Sequence, residues 1–132
     1  MGKKKLTLSE YQQKAMTTCM PSSENFSYMF LNLVGEVGEF ASKVAKQIRK
    51  GNMVISENAL YIEKGKILEV TDSFVCQELK KEAGDILWQL SGLCTIMGWD
   101  LEDVGLTNLE KLAARKAIGT IDGDGDGIER DK

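Results

Sequence analysis

A single proline in 132 residues, Pro21, leaves almost the whole chain free to run as long helices. The apolar residues use that freedom. Phe26, Phe30, Leu33, Val37, Phe40, Val44 and Ile48 recur every three or four residues, which predicts a core-facing amphipathic helix over about 24–50. Ser22 or Ser23 can cap its start and Gly51 its end. Val75, Leu79, Ile86, Leu90, Leu93 and Met97 predict a second long helix, from a cap at Asp72 to a stop at Gly98. Two shorter helices complete the set. Thr7 and Glu10 form a capping box for a helix that starts near Leu8 and ends before Pro21. Asp100 caps another, from Leu101 to about Ala117, with Glu102 and Asp103 suiting its first turn and Lys111, Arg115 and Lys116 its last. The expected fold is all-α and four-helix-bundle-like, one domain over 1–132 with its helical core at about 8–117.

Two segments fall outside that scheme. Residues 52–71 carry Val54-Ile55, Leu60-Tyr61-Ile62 and Ile67-Leu68, which fit either a short hairpin turning near Gly65 or an extra helical turn from Ser56. The Gly/Asp-rich stretch 119–132 reads as a flexible tail. Within it, Asp122-Gly123-Asp124-Gly125-Asp126-Gly127 matches the first half of an EF-hand loop. The bidentate glutamate of such a loop would fall beyond Lys132, and no exiting helix follows, so a calcium hand is not expected.

Composition removes whole classes of chemistry. The chain has no histidine, which excludes a Ser-His-Asp or Cys-His nucleophile, a histidine base and His-ligated zinc. Cys19, Cys76 and Cys94 are odd in number and widely spaced, as reduced thiols of a cytoplasmic protein would be. A net charge of −3 gives no footprint for nucleic acid. The basic start, Met1 to Leu6, is followed by no apolar run, and no segment is long enough to span a membrane.

What remains is carboxylate chemistry. Glu36-Val37-Gly38-Glu39 and Glu82-Ala83-Gly84-Asp85 each place two acids three residues apart on a predicted helix, where like charges repel unless a cation lies between them. Each pair sits on a flank of its helix's apolar line, so antiparallel packing would bring all four to one groove. Four carboxylates make an oxygen cage suited to Mg²⁺. Gly35, Gly38 and Gly84 stand beside them in helix interiors at about 1 kcal/mol each relative to alanine. That cost suggests close backbone approach or room for a ligand. Either pair alone would more often be a solvated helix face, and a non-enzymatic helical interaction module is the competing reading.

At these residues the chain resembles the MazG-like nucleotide pyrophosphohydrolases of the all-α NTP pyrophosphatase superfamily. The resemblance rests on Gly35-Glu36-Val37-Gly38-Glu39 and on Glu82 through Trp88. Further on, Asn108-Leu109-Glu110-Lys111-Leu112 with Arg115, and the tail Gly123–Asp126 with Arg130, continue it; 52–71 diverges. It implies hydrolysis of a nucleoside triphosphate to monophosphate and pyrophosphate, with Mg²⁺, or Mn²⁺ in its place, held by Glu36, Glu39, Glu82 and Asp85. Glu39 is then the carboxylate best placed to orient or deprotonate the attacking water. Asn108, Lys111 and Arg115 would hold phosphate oxygens, and the family habit of completing sites from packed helix pairs implies a homodimer or homotetramer. Lys46, Arg49 and Lys50 are weaker phosphate candidates and read rather as surface charge. Trp88, off the apolar line, suits a subunit interface or a secondary core ahead of the substrate base, and Trp99 suits a structural plug. Gln89 stands where many relatives carry an aromatic residue, a departure that bears on base specificity.

Overall fold

A computed structural model of the chain describes residues 3–62, 65–66 and 74–119. Four helices carry it: α1 (Leu8–Met16), α2 (Phe26–Arg49), α3 (Phe74–Ile96) and α4 (Leu101–Ala117). The all-α expectation holds, with a small antiparallel sheet set between α2 and α3. The Asp72 cap and the tail from 120 onward lie outside the described residues.

Local signals set most of the helix ends. Thr7 accepts the amide hydrogen bond of Glu10 at 3.0 Å, and Asp100 accepts that of Glu102 at 2.8 Å. The start of α2 differs from expectation. Pro21–Ser23 forms a 3₁₀ turn, and Asn25 rather than a serine caps the helix, accepting from the Tyr28 amide at 2.8 Å. Serine and asparagine cap about equally well, and the proline-led turn occupies both serines first. Gly51 at φ +78° and Gly98 at φ +75° take the left-handed conformation that ends α2 and α3.

The segment after α2 is a hairpin. Strand β1 (Met53–Ser56) pairs antiparallel with β2 (Ala59–Ile62), which pairs with β3 (Gly65–Lys66). The pairing of Ile62 with Gly65 is the expected reversal near Gly65, and a further turn, at Glu57-Asn58, precedes it. Glu57 and Asn58 both have positive φ, 49° and 67°, the two-residue geometry that matches strand twist. Met53 and Leu79 are the buried centre of a cluster with Phe40, Val44, Leu60, Ile62 and Val75, so the hairpin packs over one end of the α2–α3 pair.

The two long helices run antiparallel in a single register. Met29 of α2 lies against Gly92 of α3, and Lys43 of α2 reaches Glu78 and Glu82. Residue numbers that face each other therefore sum to about 121. This seam departs from the apolar line expected for α2. Met29 is buried, whereas Phe26, Phe30, Val37 and Ile48 are exposed; Phe40 and Val44 do pack. One residue along a helix is roughly 100° of rotation, and α2 has turned by about that much to bring Glu36 and Lys43 into the seam. The glycines next to the acids do not mediate close approach. A side chain at Gly38 or Gly84 would meet nothing within 4 Å, and Gly92 alone among these helix glycines would press into a neighbour, Met29.

At the other end, α1 packs on α3 and α4. Gln12 makes three hydrogen bonds there: its amide donates to Thr95 Oγ1 (3.0 Å) and to the Trp99 carbonyl (2.9 Å), and its Oε1 accepts from the Leu101 amide (2.7 Å). Trp88 belongs to the same junction. Its indole N–H donates to the Ala15 carbonyl and to Thr18 Oγ1, which ties down the end of α1 rather than facing a partner or a base. Trp99 is half exposed and so is not a buried plug.

Candidate metal centre

The antiparallel register decides which acids meet. Glu36 on α2 faces Asp85 on α3, and Glu82 is one turn earlier in α3 on the same face. One carboxylate oxygen from each of Glu36, Glu82 and Asp85 lies within 4.8 Å of the other two. Glu82 is buried, Glu36 half-buried and Asp85 exposed, so the cluster opens from the seam to solvent. Three of the four acids expected from the sequence are thus brought together. Glu39 is exposed at the edge of the group and is not one of the three.

The electrostatics are those of an acidic centre that Lys43 neutralises only in part. Burial, then the charges of Asp85, Glu82 and Glu39, push the Glu36 carboxyl above its usual range. Tyr11 of α1 is pushed up as well, by burial and then by the charge of Asp85, which brings α1 to the border of the site. The donor set is all oxygen, with neither nitrogen nor sulfur, which fits a hard divalent cation.

Lys43 is the residue that sequence reasoning missed. Its ammonium lies 2.7 Å from Glu82 Oε1 and 3.8 Å from Glu78 Oε2, and the Glu82 hydrogen bond raises its pKa above the usual lysine range. Glu78 is in turn bonded by Lys81 at 2.9 Å. The signal was present in the spacing: Lys43 follows Glu39 by four residues and Glu36 by seven, on one helix face.

The α4 residues lie on a different helix from the acids. Asn108 and Lys111 are exposed and Arg115 is half-buried, on a helix whose principal neighbours are α1 and α3. Lys111 and Arg115 have interaction partners within the chain.

Comparison with known proteins agrees with the acidic motifs. The family model for the MazG nucleotide pyrophosphohydrolase domain matches residues 24–118, which include α2, the hairpin, α3 and α4. The chain is also 35% identical over 106 residues to the Gene 37 protein of Mycobacterium phage L5, covering 80% of this chain and 78% of that protein. No solved structure matches.

Proposed function

The chain belongs to the MazG nucleotide pyrophosphohydrolase domain family, and on that premise we propose that it converts a nucleoside or deoxynucleoside triphosphate to the monophosphate and pyrophosphate. The observation that carries this reading is the convergence of Glu36, Glu82 and Asp85 on one point of the α2–α3 seam. With Glu39 at the rim, these residues would hold Mg²⁺, or Mn²⁺ in its place. A divalent cation there supplies charge to offset the triphosphate and to make water a better nucleophile near neutral pH.

The chain's own groups do the rest. Glu39, exposed beside the cluster, accepts the proton of the attacking water. Lys43 holds Glu82 through Oε1, as partners of ligating carboxylates do. Asn108, Lys111 and Arg115, which repeat along one face of α4, are assigned to phosphate oxygens. The role that follows is nucleotide-pool house-cleaning or adjustment in the cytoplasm.

The same reading includes assembly as a homodimer or homotetramer. Phe30, Leu31, Val34 and Val37 of α2 are all exposed, with Leu106 and Leu109 of α4, which is more apolar surface than one small domain leaves to water without use. Light scattering on the purified chain tests this directly.

The deciding assay measures pyrophosphate and monophosphate released from the eight common NTPs and dNTPs, with Mg²⁺ and with EDTA. Cation-dependent release of both products, lost in Glu36→Gln, is expected. Absence of release from every nucleotide with either Mg²⁺ or Mn²⁺ would contradict the reading.

A further inference from the structure

Gln89 is 3% exposed, and its side-chain carbonyl, Oε1, has no hydrogen-bond partner. A buried orphan acceptor weakens a fold, so a folded chain keeps one where something else completes it. Its position says what that is. Gln89 follows Asp85 by four residues and precedes Gly92 by three, and both of those residues face α2. Gln89 therefore stands on the same face of α3, about 6 Å along the axis from Asp85. By the register of the seam, the residue opposite is Asn32. Ser91 Oγ is also buried without a partner, but it lies two residues, roughly 200°, round the helix from Gln89 and away from the acids.

The seam has a direction. Lys43 marks the cationic end, beyond Glu82, and Gln89 lies beyond Asp85 at the other. A triphosphate whose phosphates lie on the carboxylate-held cation has its charged tail at one end and its nucleoside at the other. The tail offers acceptors and suits Lys43. Oε1 is an acceptor and suits the nucleoside, whose base N–H groups and sugar hydroxyls are the donors of the molecule.

We propose that Gln89 is a specificity-determining residue, its Oε1 accepting a hydrogen bond from an N–H or O–H donor on the base or sugar of the bound nucleotide. This rests on the pyrophosphohydrolase reading of the neighbouring acids. A pocket built to accept such a bond discriminates against nucleotides that lack the donor, since the buried acceptor is then left unpaired.

The test compares full-length wild type with Gln89→Met, which keeps the shape of the side chain, and Gln89→Leu as a second variant. Folding of each is checked by circular dichroism. kcat/KM is measured for all eight NTPs and dNTPs, and non-hydrolysable α,β-imido analogues are titrated calorimetrically in parallel. The ratio between best and worst nucleotide should fall by about 10-fold or more in whichever variants fold, the size of one buried hydrogen bond. Collapse of the ribose-to-deoxyribose ratio would assign the donor to the sugar, and collapse of the amino-to-keto base ratio to the base. An equal loss on every nucleotide, as for a core residue or one satisfied by a buried water, overturns the assignment; so does no change. If wild type hydrolyses nothing but binds analogues selectively, and Gln89→Met flattens that selectivity, the hydrolase reading falls and Gln89 stands. If no analogue binds, both fall.

Discussion

Gln12 and Gln89 are both buried, at 9% and 3% exposure, yet they serve opposite ends of the molecule. Gln12 leaves neither end of its amide unpaired, with two bonds donated and one accepted, and so pins α1 to the junction where α3 ends and α4 begins. Gln89 keeps an orphan carbonyl on the seam that also holds Glu36, Glu82 and Asp85. One region spends its buried polarity on holding helices together. The other gathers like charges and an unmet acceptor, arrangements that weaken a fold unless a ligand completes them. On the proposed function, the α2–α3 seam is the working part and the packing of α1 on α3 and α4 its scaffold.

That contrast can be broken from either side. Gln12→Leu removes three bonds and strands the buried Leu101 amide, so it should lower stability by about 2–4 kcal/mol in urea unfolding. Activity per folded molecule should survive. If stability is unchanged, the junction is not the scaffold described. Gly92→Ala presses a methyl into Met29, which is itself 1% exposed and has little space to yield. A cost of about 1–3 kcal/mol is expected, and an unchanged denaturation midpoint would show that the seam is looser than its geometry.

Glu36→Gln should act in the other direction. Burial and three neighbouring acids raise the Glu36 carboxyl, so its contribution to stability is fully present below 4.5 and is lost as pH rises through its folded value. In EDTA at pH 7 the variant should melt about 2–4 °C above wild type, with the gap closing toward pH 4. Added Mn²⁺ should stabilise wild type and leave the variant where it was. A variant that melts lower than wild type in EDTA would contradict the repulsion inferred here.

How much of this was legible beforehand varies with the kind of signal. The helices and two of their caps, Thr7 and Asp100, follow from periodicity and side-chain chemistry that act within a few residues. The acid pairs were legible because like charges at helical spacing need a reason. The seam of α2 was not. Its apolar line through Phe30 and Val37 is the more hydrophobic face, but the face that meets α3 carries Met29, Glu36 and Lys43, where ion pairing and the site override hydrophobicity. Gly92 was hidden for a similar reason, since only the partner helix shows that Met29 lies against it. Lys43 had the right spacing but no value until Glu82 was opposite. The turn at Glu57-Asn58 lacked the usual glycine and so gave no local sign.

The most direct test sets the two regions in one assay. Pyrophosphate release with Mg²⁺ is measured per folded molecule for Glu82→Gln and for Gln12→Leu beside wild type. The account predicts a folded but nearly inactive Glu82→Gln, down about 100-fold or more, and a less stable Gln12→Leu with close to wild-type turnover. Wild-type turnover in Glu82→Gln would contradict it, because the carboxylate seam would then not be where the chemistry occurs.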